Sequence, residues 1–262
     1  MDLGIRGRIA LIAGGSAGMG KAAALTLAGE GADIVLSARG EARLLVAAAE
    51  IAAATGARVT PVVADHSTPG GRATLAAACP HADILVISVS PPAAVEDFRA
   101  ITEANWLGSV TSGLVGPVEL IRHFSEGMAA RRWGRVVAIA TVAAKYPSET
   151  RLLSGPARSA LVNYCAAVGR RLARDNVAIN CLLPGMVATD GLERTLSALA
   201  EKNGLDRAGA EALFAKQMRI AARRVGTADE VGKVVAMLCG DFAGYVVGQS
   251  LVVDGGMTNA LF

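Results

Sequence analysis

Short apolar runs alternate with longer alanine-rich stretches along the whole chain, and this alternation constrains the fold more than any other feature. Most runs are apolar at consecutive positions, as in parallel strands that are covered on both faces. Strands are predicted at 9–13, 34–38, 59–63, 84–88, 136–140, 177–182 and 250–253, and helices near 18–30, 41–55, 68–78, 97–131, 151–174 and 227–239. The alternation predicts right-handed crossovers and an α/β fold, a doubly wound parallel sheet of about seven strands flanked by helices.

Length and composition indicate a folded chain. It has 262 residues, of which 52% are apolar, and no linker interrupts the alternation. Disordered chains combine low hydrophobicity with high net charge, so that class is excluded. At about 100–200 residues per domain, the length allows one large domain or two small ones. The unbroken pattern favours a single domain over residues 1–262.

Charge and cysteine usage limit the partners. The net charge is only +3, and the arginines are scattered rather than gathered in the basic stripe typical of nucleic-acid binding. No apolar run reaches the roughly 18 residues needed to cross a bilayer, and charged residues interrupt the start, which argues against a secretory signal. The four cysteines form no CxxC pair, and the three histidines lack metal-ligand spacing. We expect a soluble cytoplasmic protein with free thiols, no membrane or nucleic-acid contact and no metal.

One stretch departs from the alternation. Residues 190–222 contain two helix-like pieces, 192–202 and 207–218, where a single short crossover would suffice. An insertion after the carboxyl end of a strand lies where α/β folds bind their ligands. We interpret 190–222 as a helical substrate lid.

A glycine-rich turn follows the first predicted strand. It contains Gly14, Ser16, Gly18, Met19 and Gly20 and leads directly into a helix. Glycines permit a tight turn and a close backbone approach to a pyrophosphate, and a helix amino terminus offers unpaired N–H groups with a favourable dipole. Because the glycines lie between a strand and a helix, they predict a dinucleotide site.

The ends of the next two strands indicate which dinucleotide. An NAD site usually places a carboxylate after the second strand, to bind the ribose 2′-hydroxyl. This chain has Ala38 there, between Ser37 and Arg39, and these two side chains suit a 2′-phosphate. We therefore expect NADP(H) rather than NAD(H). Asp65, after the third strand, is expected to accept a hydrogen bond from the adenine amino group, with His66 against adenine or solvent.

Together, several segments resemble the short-chain dehydrogenase/reductase family over essentially the whole chain. They are the glycine turn, Asp65, Asn105, Pro184-Gly185-Met186-Val187-Ala188-Thr189, and Gly248-Gln249 through Val253-Asp254-Gly255-Gly256. The resemblance implies a Rossmann domain with a seven-stranded parallel sheet and a small-molecule substrate. It places Pro184, Gly185, Val187 and Thr189 near the nicotinamide and its phosphates. The last strand is often part of a tetramer interface in this family, so a homo-oligomer, either a dimer or a tetramer, is expected.

The family's catalytic residues match this chain only in part. Most members use Asn, Ser, Tyr and Lys, and the corresponding positions here are Asn105, Thr141, Ser154 and Arg158. The tyrosine and the lysine are therefore both absent. The family's Asn-Asn-Ala-Gly after the fourth strand is also replaced, by a segment in which Ser88 is expected beside the cofactor.

These replacements change the expected proton chemistry. A general acid or base works best with a pKa near the operating pH, and the hydroxyl of Ser154 is far less acidic than a tyrosine. Arg158 stays protonated, but it can donate paired hydrogen bonds to the nicotinamide ribose or to a substrate carboxylate or phosphate. Tyr146 lies in the loop after the fifth strand, where it can approach the nicotinamide or line the substrate pocket.

Three hypotheses remain open at this point. The first is an NADP(H)-dependent oxidoreductase that interconverts a carbonyl and a secondary alcohol, similar to a 3-oxoacyl reductase. Thr141 would hold the oxygen, Asn105 would support a water chain, and the proton would come from water, Tyr146 or the substrate. The second is a nucleotide-binding sensor or scaffold subunit without redox turnover. The third is a non-redox lyase or isomerase that reuses the pocket.

Overall fold

Seven parallel strands form one sheet in the order β3-β2-β1-β4-β5-β6-β7, in a computed structural model that describes residues 2–259. The two ends of the predicted domain, residue 1 and residues 260–262, lie outside the described residues. The strands are β1 (Ile9–Ala13), β2 (Asp33–Ala38), β3 (Val59–Val63), β4 (Ile84–Ser88), β5 (Gly134–Ile139), β6 (Val177–Pro184) and β7 (Ser250–Val253). The predicted α/β fold with its doubly wound sheet is confirmed.

Helices cover both faces of the sheet. They are α1 (Gly18–Gly29), α2 (Glu41–Thr55), α3 (Pro69–Ala78), α4 (Glu103–Val110), α5 (Gly116–Ala130), α6 (Ser154–Leu172), α7 (Asp190–Asn203), α8 (Arg207–Gln217) and α9 (Ala228–Cys239). Buried side chains of α1, α2 and α9 share one core with one face of the sheet. Those of α3, α5 and α6 share a second core with the other face. None of the helices within 2–259 is both long and apolar enough to cross a membrane.

The predicted helix over 97–131 is wrong at its start and contains a π turn that the sequence did not predict. Helix α4 begins only at Glu103, because the Thr102 hydroxyl accepts the backbone N–H of Asn105 and the Asn105 side chain accepts that of Thr102. This reciprocal cap terminates the helix on its amino side. A π turn at Thr111–Val115 then separates α4 from α5. Such one-turn bulges occur frequently at functional sites.

The strand order reverses between β1 and β4, which are neighbours although they are not consecutive in the chain. In doubly wound folds, ligands bind in the crevice at the carboxyl ends of the strands at this switch point. The connections after β1, β4, β5 and β6 begin at this carboxyl edge. Helices α7 and α8, which correspond to the predicted insertion, follow β6 there.

A buried charged residue lies at the edge of the sheet formed by the amino ends of the strands, opposite the crevice. Arg135, in β5, is 0% exposed. Its guanidinium donates to four backbone carbonyl oxygens, those of Gly134, Asn176, Gly240 and Asp241, at 2.8 to 3.0 Å. Full hydrogen bonding is what makes a buried charge tolerable. This arginine therefore ties β5 to the chain segments around it.

Candidate functional site

The glycine turn is packed against the end of β4. Gly14 has φ +92°, and a Cβ atom on it would lie 1.8 Å from the Ser88 carbonyl oxygen. A Cβ on Gly20 would lie 2.1 Å from the Gly14 carbonyl oxygen and 3.1 Å from Ser88 Cβ. Backbone N–H groups of Gly14 and Gly15 donate to the Ser37 carbonyl oxygen. Glycine is therefore required by the packing of the turn on β2 and β4.

Helix α1 begins with free donors at the switch point. Its first residue is Gly18, the preceding Ala17 offers no side-chain cap, and its first turn contains no acidic residue. Such an end retains unpaired N–H groups and positive dipole, which suits a pyrophosphate. Ser16 is half-buried in the turn, and the Met19 side chain packs against the core, so Met19 offers only its backbone here. These residues fit a dinucleotide.

The segment after β6 lies directly beside this turn. A Cβ on Gly18, where φ is +54°, would lie 3.4 Å from the Thr189 methyl group. Thr189 precedes α7 and makes no capping hydrogen bond with its side chain. Gly185 follows Pro184, the last residue of β6, and a Cβ on it would lie 2.6 Å from Asp254 Cβ. Val187, which pairs with a residue near α9, is buried. The β6–α7 segment therefore lies along one side of the crevice, and its contact with the nicotinamide and phosphates stays a prediction.

The end of β2 leaves a cation available for a ligand. Ser37 is buried, whereas Arg39 is exposed. Among the described residues, no carboxylate lies within ion-pair distance of Arg39. The nearby Arg43 does have a partner, because its Nη2 atom lies 2.6 Å from Oδ2 of Asp190 in α7. Arg39 is therefore the arginine that fits a 2′-phosphate.

Asp65 is half-buried and held in place by its own turn. Its Oδ1 accepts the backbone N–H of Ser67 at 2.9 Å and the Ser67 hydroxyl at 2.6 Å. Partial burial raises the pKa of the Asp65 carboxyl, but these hydrogen bonds and the nearby Arg39 outweigh it and lower the pKa overall. The carboxylate is therefore ionised and can still accept a bond at Oδ2.

His66, the next residue, packs against a helix. Its ring packs on the start of α5, where a Cβ on Gly116 would lie 3.1 Å from His66 Cδ2. Its Nε2 atom is buried and has no hydrogen-bond partner among the described residues. Burial lowers the pKa of His66, and although Asp65 raises it, the neighbouring arginines, Arg158 among them, lower it further. The Nε2 edge of the ring therefore faces α5, whereas the residue as a whole is half-buried, and its contact with adenine or solvent stays a prediction.

The start of α6 contains the two residues that the sequence analysis predicted at the family's tyrosine and lysine positions. Ser154 and Arg158 are 4% and 3% exposed, and a spacing of four places them on one face of the helix. Nη2 of Arg158 donates to the carbonyl oxygen of Val89 at 3.0 Å, and its Nη1 is buried without a partner. Because Val89 follows Ser88, the end of β4 connects the glycine turn to Arg158. The two parts of the site are therefore continuous.

The loop after β5 packs on the same helix. It begins at Thr141, whose hydroxyl accepts the backbone N–H of Ala143 at 3.3 Å. A Cβ on Gly155 would lie 3.0 Å from the Ala143 carbonyl oxygen, so the loop touches the first turn of α6. Tyr146 is half-buried at the end of this loop and packs against the second core. Its approach to the nicotinamide stays a prediction.

The assignment of Asn105 requires a correction. Its Oδ1 accepts from both the backbone N–H and the hydroxyl of Thr102, at 3.0 and 2.9 Å, and the residue is exposed. Its Oδ1 therefore serves the amino-terminal cap of α4, and the predicted support of a water chain by this oxygen is corrected. The residue on this helical stretch that faces Arg158 is Gly113, in the π turn, where a Cβ would lie 3.6 Å from Arg158 Nε. Gly113 lies eight residues further along, about 12 Å at 1.5 Å per residue.

Comparisons with known proteins agree with this architecture. Residues 13–258 match the family described as enoyl-(acyl carrier protein) reductase. The chain is 27% identical to the NADPH-dependent reductase BacG of Bacillus subtilis, covering 97% of this chain and 99% of that one. It is 28% identical to the 3-oxoacyl-[acyl-carrier-protein] reductase FabG of Pseudomonas aeruginosa, with the same coverage of both chains.

A solved structure is also similar over its full length. The L-sorbose reductase of Gluconobacter frateurii, in a complex with NADPH and L-sorbose, superposes with a TM-score of 0.93. It is 31% identical, and each chain is covered to 100%. The family match, the relatives and the crevice at the carboxyl edge of the sheet support one conclusion: the chain belongs to the short-chain dehydrogenase/reductase family and is an oxidoreductase of that type.

Proposed function

We propose that the protein uses NADP(H) to interconvert a carbonyl group and a secondary alcohol. The observation that carries this proposal is the glycine turn at the switch point, which leads into an uncapped helix end beside Thr189. The nicotinamide, when bound, supplies or accepts the hydride. The chain's own residues bind the cofactor, orient the substrate and govern the proton.

Preference for the 2′-phosphate rests on the end of β2. Ala38 provides no carboxylate to repel a phosphate, and Arg39 is exposed without an ion pair among the described residues. The names of similar proteins support the same cofactor, since BacG is NADPH-dependent and the L-sorbose reductase was solved with NADPH. Arginine binds a phosphate through paired N–H donors.

At the reacting end, Thr141 and Ser154 are the hydroxyl groups that orient the substrate oxygen. Neither is acidic enough to replace a tyrosine as the proton donor near neutral pH. Arg158 keeps its proton, because burial lowers its pKa only to about 10. The proton therefore comes from water, from Tyr146 or from the substrate, and the active site is atypical for its family.

The substrate lies between the hydroxyl groups of Thr141 and Ser154 on one side and helices α7 and α8 on the other. These two helices act as a lid. The start of α7 is tied to α2 by the Arg43–Asp190 ion pair, whose two side chains are both 64% exposed. Surface pairs of this kind are weak, about 0–1 kcal/mol, so the lid can open and close. A 3-oxoacyl compound is the substrate class suggested by the similar FabG protein.

A second function is favoured by one observation. The buried pair at the start of α6 is a serine and an arginine, neither of which transfers a proton readily at neutral pH. A sensor or scaffold subunit would need the nucleotide site without that transfer. A lyase or isomerase on the same scaffold is the remaining alternative, and it would not need the hydride.

Cofactor binding is tested by titration of NADPH and NADH, followed by protein fluorescence. We expect NADPH to bind more tightly, and Arg39→Ala to weaken NADPH about tenfold, since one charge-assisted contact is lost, while NADH changes little. The matched control is Arg58→Ala, an exposed arginine paired with Asp33 at the amino end of β2. If neither nucleotide binds, the oxidoreductase and the sensor are both rejected.

Turnover is tested next with a panel of 3-oxoacyl esters, ketones and alcohols, followed at the nicotinamide absorbance. Turnover supports the proposed function, and binding without any turnover supports the sensor. The double variant Ser154→Tyr/Arg158→Lys should raise the reductase rate, because it restores a proton donor next to a cation. No gain in a folded, cofactor-binding double variant would show that another group already transfers the proton.

The proposal also includes the oligomeric state of the protein and its location in the cell. Exposed apolar side chains lie on and near β7, where Phe242 is 53%, Tyr245 101% and Leu251 38% exposed. Such residues favour an interface between copies, so a homo-oligomer, dimer or tetramer, is part of the proposal. Light scattering during size-exclusion chromatography tests it, and a monomer at micromolar concentration would contradict it. The cytoplasmic location remains an expectation from the sequence.

A further inference from the structure

One ion pair joins the two sides of the dinucleotide crevice. Nη2 of Arg43, in the first turn of α2, lies 2.6 Å from Oδ2 of Asp190, the first residue of α7. Within residues 2–259, no other side-chain hydrogen bond or ion pair connects α2 to α7. The two helices follow different strands, β2 and β6, so this single contact links segments that are far apart in the chain.

The two residues lie on either side of the start of α1. The methyl group of Thr189, the residue before Asp190, lies 3.4 Å from the position of a Cβ on Gly18, the first residue of α1. Arg43 lies four residues after Arg39, which fits the 2′-phosphate. A dinucleotide that extends from Arg39 to the uncapped end of α1 passes between these segments. The pair therefore lies across the crevice, between the two parts of the dinucleotide site.

The other side-chain contacts of the lid join it to itself and to the segment before α9. Arg207, at the start of α8, donates to both carboxylate oxygens of Glu193 in α7, at 2.8 and 2.7 Å, and to Glu211 at 2.6 Å. Glu211 in turn accepts the backbone N–H of Val225 at 3.0 Å. None of these contacts reaches across the crevice. The Arg43–Asp190 pair is therefore the contact that brings the start of α7 to the opposite side.

The pair is exposed, and its arginine is free to keep its partner. Both side chains are 64% exposed, and an ion pair of this kind changes an equilibrium by at most about fivefold. Such a contact breaks and forms readily. Arg39 makes no ion pair within the described residues and supplies a cation for the 2′-phosphate, so Arg43 is not required there.

We propose that Arg43 and Asp190 form a latch that closes over the bound dinucleotide and slows its release. This inference rests on the proposed function, because the latch needs a dinucleotide in the crevice. The lid covers the substrate, whereas the latch acts on the cofactor. The diphosphate is common to NADPH and NADH, so the latch retains both to the same extent, and Arg39 decides between them.

The test measures the rate at which the protein releases each cofactor. NADPH or NADH is displaced by an excess of its oxidised form in a stopped-flow instrument, and the loss of nicotinamide fluorescence is followed. We expect Arg43→Gln and Asp190→Asn each to accelerate the release of both cofactors by the same factor, about twofold to fivefold. The double variant should release them no faster than either single variant, since all three lack the same contact. The matched control is Arg58→Gln, at an exposed arginine paired with Asp33 on the opposite edge of the sheet, and it should leave release unchanged.

The sign of the two single effects distinguishes a latch from two independent charges. Removal of a cation near a diphosphate weakens its binding, and removal of an anion strengthens it. Opposite effects of Arg43→Gln and Asp190→Asn on release would therefore refute the latch. It would also be refuted if both variants changed only the free energy of unfolding, or if Arg43→Gln accelerated release of NADPH alone, since Arg43 would then serve the 2′-phosphate. Failure of the wild-type protein to bind either cofactor would refute the proposed function itself.

Discussion

The two edges of the sheet each contain a buried arginine, and the two are treated in opposite ways. Arg135 at the amino edge donates to four backbone carbonyl oxygens and lies 3.9 Å from an Asp241 carboxylate oxygen. Arg158 at the carboxyl edge donates to one carbonyl oxygen, and its Nη1 has no partner among residues 2–259. The same side chain is thus fully bonded in one place and mostly unbonded in the other.

The difference in hydrogen bonding indicates that one arginine serves stability and the other serves function. A fully bonded buried arginine stabilises the segments that surround it, and its loss leaves several acceptors without donors. An under-bonded one contributes little to stability and is available to a ligand. The carboxyl edge of a doubly wound sheet is also where ligands bind. Arg135 therefore has the contacts of a structural residue, and we propose that Arg158 faces a bound ligand instead.

The largest expected effect is that of Arg135→Met. It removes a donor from four carbonyl oxygens, two of them in buried hydrogen bonds and two in part-buried ones, and we expect the free energy of unfolding to fall by about 3–5 kcal/mol. Urea denaturation followed by circular dichroism measures it. Arg135→Lys should recover part of the loss, because it restores a donor. A loss below about 1 kcal/mol for the methionine variant would remove the distinction between the two arginines.

A smaller effect is expected for Gly113→Asn. The new Cβ would lie 3.2 Å from Ala157 Cβ and 3.6 Å from Arg158 Nε, and overpacking of this kind costs about 1–3 kcal/mol. The cost should shrink in the Arg158→Lys background, because the slimmer lysine leaves room for the amide. A double-mutant cycle in urea measures this coupling, and strictly additive changes would show that Gly113 does not make space for Arg158.

A still smaller effect is a pH dependence from His66. Burial holds its pKa in the folded state below the ordinary value of 6.5, so the unfolded chain binds the proton more readily. The folded state therefore loses stability as pH falls through 6.5 towards the lower, folded-state pKa. Replacement by Gln should flatten the dependence of unfolding free energy on pH in that window. His123→Gln, at an exposed position of α5, is the control.

The smallest change in stability is expected for Arg158→Met. The variant removes an under-bonded buried charge and leaves one acceptor, the Val89 carbonyl oxygen, without its donor. These two consequences oppose each other, so we expect the free energy of unfolding to change by less than about 1 kcal/mol. Urea denaturation of this variant beside Arg135→Met gives the comparison directly. A loss as large as that of Arg135→Met would mean that Arg158 is structural.

The sheet was predictable because its signal is strong and local. Consecutive apolar runs located all seven strands, with differences of at most two residues at their ends, as for β5, which begins at Gly134 rather than at 136. The glycine turn was equally readable, because its glycines are forced by backbone contacts with Ser88 and with each other.

The helical stretch over 97–131 was less predictable for a physical reason. An apolar pattern over 97–131 does not reveal a π turn. It therefore gives no reason to expect Gly113, rather than Asn105, to face Arg158. The Thr102-x-x-Asn105 spacing, which resembles a capping box, was the available signal that Asn105 was already occupied. The missing partner of Arg158 depends on which carboxylates the fold brings near, and only the three-dimensional structure contains that information.

The central claim is tested most directly by a crystal structure with bound NADP⁺. We predict the dinucleotide along the glycine turn, with its pyrophosphate at the amino end of α1 and its nicotinamide near Thr141 and Ser154. A crevice without nucleotide at saturating concentration would contradict it.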